Sequence, residues 1–181
     1  EILAGEGVAG WDQIQRALAE RDLGVSAPLG FNNTYAIGVK ETLAQKLQIN
    51  RISDLVRHPE LRFGFGNEFM ERGDGWPGLR DRYGLPQQDV RGLDPDLAYR
   101  GLESGDIDAM DMYSTDAEIK FYDLRALTDD MGYFPDYMVL LVYRKDLQAR
   151  ATTALSAMHK LESSISEAEM VAMNARAKLD K

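Results

Sequence analysis

Cysteine is absent from this chain of 181 residues, and histidine occurs only at His58 and His159. The first absence removes disulfides, thiolate metal sites and thiol nucleophiles together, and it fits either redox compartment. The second leaves two imidazoles as ligands or bases. Positive charge is also in deficit: 21 Lys and Arg stand against 30 Asp and Glu, a net charge of −9. A phosphate backbone would be repelled over most of such a surface, which argues against nucleic-acid binding. No apolar run approaches the roughly 20 residues of a bilayer crossing. The N-terminus has no basic region followed by an apolar one. A Gly-x-Ser-x-Gly elbow is missing, as is a phosphate loop closed by Lys and then Ser or Thr. Ser114 and Ser163 have no acid and histidine to activate them. His159 reads as a helix-surface residue and His58, before Pro59, as a turn residue. This inventory points away from an enzyme and calls for no cofactor or metal.

What is present suffices for a core: 44% of residues are hydrophobic and 28% charged, ordinary for one globular domain or two small lobes. Short apolar runs alternate with amphipathic segments, the pattern of an α/β chain. The expected strands are Val25–Ala27, Tyr35–Val39, Leu61–Phe65, Val90–Leu93, Ile107–Met112 and Tyr137–Tyr143, each bounded by Gly, Pro, Asn or Asp. Asp94-Pro95 predicts a helix start and Ser104-Gly105 its end. Ser53-Asp54-Leu55 opens a shorter helix. Leu155, Met158, Leu161 and Ile165 are spaced for one helical face, and Ser166 with Glu169 predicts a capping box for a last helix.

Three segments could carry chemistry. Gly105-Asp106-Ile107-Asp108-Ala109-Met110-Asp111 crowds carboxylates, but a calcium loop needs Gly and Glu at its sixth and twelfth positions, which hold Asp111 and Ala117. It reads as a helix end turning into a strand with solvated aspartates. Phe63 to Leu79 is the most glycine-dense stretch and reads as a mobile or tightly turned loop, with Arg72 a candidate anion clamp inside it. Tyr35, Tyr113 and Tyr137 each stand at the edge of an expected strand, flanked by Asn, Thr, Ser or Asp. Strand ends are where α/β folds place ligands.

Gly30-Phe31-Asn32-Asn33-Thr34-Tyr35-Ala36 and Glu68-Phe69-Met70-Glu71-Arg72-Gly73-Asp74-Gly75-Trp76-Pro77-Gly78-Leu79, taken with Leu97-Ala98-Tyr99, Asp111-Met112-Tyr113-Ser114-Thr115-Asp116 and Phe134-Pro135-Asp136-Tyr137, resemble a known family. It is that of the substrate-binding proteins of glycine betaine/choline (osmoprotectant) ABC importers, and the likeness runs over most of the chain in order. The resemblance implies a periplasmic-binding-protein-like (type II) fold, a two-lobed clamshell closing on a quaternary ammonium ligand. A quaternary ammonium has no N–H, so aromatic faces and shape must recognise it. By motif match Tyr35, Tyr113 and Tyr137 would be cage walls and Arg72 would hold a betaine carboxylate. Asn33, Thr34 and Thr115 would contact the ligand or shape the site, with Asn32, Ser114 and Asp116 in support.

The resemblance further implies that this chain begins after the first part of lobe one. Residues 1–32 and 137–181 would form a partial lobe one and residues 33–136 lobe two, with a homodimer or strand exchange completing the former. The implied partner is an ABC permease and the implied location periplasmic or extracytoplasmic at a membrane. The alternative is a sensory or interaction module of the same fold that has given up transport.

Overall fold

The computed structural model describes residues 10–179. In chain order its elements begin with α1 (Trp11–Ala19), β1 (Leu23–Val25), β2 (Tyr35–Lys40) and α2 (Glu41–Leu47), then a 3-10 turn (Ile52–Arg57). There follow β3 (Phe63–Gly66), α3 (Asn67–Glu71), α4 (Trp76–Tyr83), β4 (Val90–Leu93), α5 (Pro95–Ser104) and β5 (Ala109–Tyr113). The last part comprises α6 (Glu118–Phe121), β6 (Leu124–Ala126), β7 (Val142–Arg144), α7 (Leu147–Arg150), α8 (Thr152–His159) and α9 (Glu167–Leu179). Among the described residues no helix is long and apolar enough to cross a membrane. The chain divides into two compact units, Glu1–Phe31 with Met138–Ser166, and Asn32–Tyr137 with Glu167–Lys181.

The first unit pairs β1 with β7 antiparallel, Gly24 facing Tyr143. Gly24 is required there, because a Cβ would stand 2.5 Å from the Tyr143 ring. Tyr143 in turn meets His159 edge to face at 5.6 Å, and His159 Nδ1 lies 2.6 Å from Glu162. His159 is therefore a packed and partnered residue.

The second unit is built on a mixed sheet of order β4-β3-β5-β2-β6. Strands β4, β3 and β5 run parallel, whereas β2 is antiparallel to β5 and to β6. Phe-Gly-Phe-Gly in β3 illustrates the period of two. Phe63 and Phe65 enter an aromatic core with Phe69, Trp76 and Leu79 on one face. On the other face Gly64 makes room for Ile107, whose Cδ1 would lie 2.6 Å from an added Cβ. The opposite core joins Ala36, Tyr99, Leu102, Met110 and Met112.

Several local expectations meet the structure directly. The helix from Pro95 ends at Ser104 with Gly105 at φ 79°, the left-handed stop glycine favours. The region from Ser53 forms a 3-10 turn rather than an α-helix. Of the expected strand Tyr137–Tyr143 only Val142 and Tyr143 are in a strand, which runs on to Arg144. β6 was not anticipated: three residues after Asp123, itself at φ 52°, carry no alternation to read. α8 stops at His159, so Leu161 and Ile165 are not on the face expected of them. The last helix, expected in lobe one, clusters with the second unit. Lys178 pairs there with the buried Glu118, and Asn174 Nδ2 donates to the Thr115 carbonyl at 2.8 Å.

Candidate functional site

The antiparallel register of β2 and β5 places Tyr35 opposite Tyr113. Directly opposed residues bring their side chains together on one face. The rings stack at 4.8 Å between centroids, and the Tyr113 hydroxyl donates to that of Tyr35 at 3.2 Å. Behind them Phe69 and Phe134 approach Tyr35 at 5.4 and 6.0 Å. Tyr113 keeps 43% of its surface exposed, while burial raises the Tyr35 hydroxyl above its ordinary range. The Tyr35 ring thus presents a neutral face at physiological pH.

The polar residues around them knit three segments together. Thr34 N–H donates to Ser114 Oγ at 3.2 Å, and Ser114 Oγ donates to the Asn32 carbonyl at 2.9 Å. Thr115 Oγ1 donates to Asn33 Oδ1 at 2.7 Å, and Thr34 Oγ1 to the Pro135 carbonyl at 2.7 Å. Tyr137 N–H donates to Asn32 Oδ1 at 2.6 Å, and Asn33 N–H to the Tyr137 carbonyl at 3.1 Å. Asn33, Thr34 and the buried Thr115 consequently spend these side-chain groups on one another and on backbone. Tyr137 is tied to the same knot through its backbone, but its exposed ring stacks on no other ring among the described residues.

Arg72 closes α3, and its guanidinium is occupied. Nε and Nη2 donate to the two oxygens of Asp74 at 2.8 and 2.6 Å, and Nη1 to Glu68 at 3.1 Å. These carboxylates hold Arg72 above its ordinary range. Three of the five guanidinium N–H groups are thereby used, and a ligand carboxylate reaching Arg72 would share it with these carboxylates or displace one of them. The glycines that follow are tightly packed: a Cβ on Gly75 would fall 2.0 Å from the Phe69 carbonyl oxygen, and one on Gly78 2.3 Å from the Tyr133 hydroxyl.

Sequence reasoning missed the carboxylate beside the tyrosines. Asp111 stands two residues before Tyr113 on the same face of β5, and Gly66 N–H donates to its Oδ1 at 2.6 Å. A cavity of about 290 Å³ is lined by Tyr35, Tyr113, Phe69, Asn67, Gly66 and Asp111, with Glu68 and Asp94 on its wall and no lysine or arginine. Burial pushes the Asp111 carboxyl up. The solvated reading of this segment is corrected at Asp108 too, which takes Arg62 Nε at 2.9 Å and Nη2 at 3.0 Å. A period of two counted back from Tyr113 was the available signal. A larger groove of about 730 Å³ lies along α5 with Arg62, Arg91 and Arg100. Among the described residues it has no aromatic lining, whereas the smaller cavity has Tyr35, Phe69 and Tyr113. Among the described residues no group of three His, Asp or Glu gathers to hold a metal.

Residues 6–181 match the family described as the substrate binding domain of ABC-type glycine betaine transport systems. The chain is 40% identical over 148 residues to the ergothioneine transport permease/ergothioneine binding protein EgtU of Helicobacter pylori (strain G27), covering 81% of this chain and 27% of that one. It is 32% identical over 165 residues to a glycine-betaine-binding protein of Pseudomonas aeruginosa, covering 84% and 53% respectively. A crystal structure described as that of a glycine betaine/carnitine/choline ABC transporter superposes with a TM-score of 0.85 at 33% identity, covering 92% of this chain and 62% of that one. The chain thus spans between about a quarter and about half of these two curated relatives. Its fold is the α/β fold of type II periplasmic binding proteins, a mixed sheet flanked by helices.

Proposed function

Because the chain belongs to the family of substrate-binding domains of ABC-type glycine betaine transport systems, we propose that it binds a trimethylammonium compound against Tyr35 and Tyr113 and delivers it to a membrane permease. The observation that carries this reading is the stacked tyrosine pair beside a cavity whose wall holds carboxylates and no cationic side chain. A trimethylammonium group offers methyl surface and diffuse positive charge without donors. The negative faces of aromatic rings suit it, at about 0.5 to 2 kcal/mol per ring. Tyr137 is assigned to the same cage, on a backbone already fixed to the knot that fixes Tyr35. Asn33, Thr34 and Thr115 act by positioning the rings. The work is binding and release outside the cytoplasmic membrane, with no bond made or broken.

Ligand choice narrows to glycine betaine, choline, carnitine and related compounds. The relatives' names add ergothioneine, another trimethylammonium betaine. Arg72 suits those with a carboxylate, shared with Asp74 and Glu68 or in place of one of them. Calorimetric titration with glycine betaine, carnitine, choline and ergothioneine, with Tyr113→Ala in parallel, tests this. Saturable heat that falls about five- to thirty-fold in affinity in the variant is expected, the scale of one well-used ring. A folded chain that binds none of them would overturn the reading.

A further inference from the structure

Asp111 Oδ1 accepts from Gly66 N–H at 2.6 Å, its own backbone N–H also acts on the carboxylate, and among the described residues no side chain donates to it. The side chain is half-buried and lines the 290 Å³ cavity at the foot of the Tyr35–Tyr113 pair. The two arginines of the neighbouring segments are engaged with other carboxylates: Arg62 holds Asp108, and Arg72 holds Asp74 and Glu68. A half-buried carboxylate that meets no side-chain donor within the protein keeps accepting capacity towards the cavity, and a ligand that supplies a donor there gains a charge-assisted hydrogen bond. A trimethylammonium head cannot supply it, since all four valences of its nitrogen are carbon. The donor has to come from elsewhere on the ligand.

We propose that Asp111 is a specificity-determining residue whose cavity-facing carboxylate accepts a hydrogen bond from a ligand hydroxyl, so that the site prefers hydroxylated trimethylammonium compounds to those without a donor. This rests on the trimethylammonium reading above. The logic is that of sites built to satisfy a substrate hydroxyl: the analogue lacking it leaves a buried polar group unpaired and is rejected. Glycine betaine has no donor and is disfavoured. Carnitine and choline each carry a hydroxyl two carbons from nitrogen. Asp111→Asn separates hydrogen bonding from shape, because the amide oxygen can keep the Gly66 bond while the NH₂ turns a donor towards the ligand.

The test uses two ligand pairs that differ only in that hydroxyl: carnitine against 4-(trimethylammonio)butanoate, and choline against ethyltrimethylammonium. Dissociation constants are measured by calorimetry for the unaltered chain and for Asp111→Asn, with circular dichroism to establish folding. The unaltered chain should prefer the hydroxylated member of each pair by about ten-fold or more, the scale of a charge-assisted hydrogen bond. The variant should bring each pair within about two-fold. If the unaltered chain binds all four without preference, the proposal falls and the trimethylammonium reading stands. If Asp111→Asn weakens all four equally, Asp111 is a counter-ion and the proposal is equally overturned. Failure to bind any of the four, nor glycine betaine or ergothioneine, would sink both. The preference of the unaltered chain decides the matter even if the variant does not fold.

Discussion

The two ends of the central sheet are finished in opposite ways. At the end where β3 and β5 begin, Asp108 accepts from Arg62 through Nε, Nη2 and the backbone N–H, and Arg62 Nη2 also reaches the Gly105 carbonyl. Arg62 and Asp108 thus have their partners inside the protein. At the other end, where β3 and β5 stop, Tyr113 is exposed, and Asp111 accepts from Gly66 N–H but, among the described residues, from no side chain. Two aspartates three residues apart thus have different duties. The closed end fastens strands, while the open end is where we propose that a ligand is met. The open end is also where parallel strands finish, the side on which α/β sheets bind ligands.

Breaking the closed end should have the largest effect on stability and none on specificity. Asp108→Ala removes the acceptor for the Arg62 backbone N–H and guanidinium, and a charged hydrogen-bond set of this kind contributes about 1 to 3 kcal/mol. At about 2 to 4 °C per kcal/mol for a chain of this size, Tm should drop by several degrees. Ligand preference among the two hydroxyl pairs should stay unchanged. A loss of preference with unchanged Tm would reverse the roles of the two ends.

Altering the open end should have the contrary sign. Burial raises the folded-state pKa of Asp111, so the folded chain pays for ionising it. That cost is fully present above the raised pKa and disappears as the pH falls below the ordinary carboxyl range. Asp111→Asn, which retains an acceptor for Gly66 N–H, should therefore unfold at a higher temperature near pH 7. The gain should shrink on acidification. A variant less stable than the parent at neutral pH would mean that Asp111 is there to hold the fold.

The contrast was only half visible in the amino-acid sequence. Tyr35 and Tyr113 were legible because polar flanks mark strand ends, and the Asn32-Asn33-Thr34 motif lay beside one of them. Their pairing depends on register between segments 78 residues apart, which local patterns do not carry. Asp108 and Asp111 looked alike, since only the partners Arg62 and Gly66, 46 and 45 residues upstream, distinguish them. Gly75 and Gly78 suggested a loop that could be mobile. They are small because Phe69 and Tyr133 press against them. Arg72 stood out as a cation in that loop, yet the carboxylates that occupy it sit in the same motif, at Glu68 and Asp74, and could have been read as its partners.

That last arrangement gives the smallest and most discriminating expectation. Glu68 is the weaker of the two partners of Arg72, held by one bond at 3.1 Å against the two of Asp74, and it is largely exposed. Glu68→Gln should leave the fold intact, because an exposed ion pair contributes little. It also removes a negative charge that competes with a ligand carboxylate for Arg72. Affinity for glycine betaine and carnitine should rise about two- to five-fold, a range set by the strength of exposed ion pairs. Choline has no carboxylate, so its affinity should not rise. It should instead fall slightly, as the cavity wall loses one negative charge facing a cation. Opposite responses of the two ligand types, measured in one buffer at low salt where such charges are least screened, would place Arg72 at the carboxylate. A common shift for both would remove Arg72 from the site and leave the open end of the sheet as an aromatic and acidic pocket alone.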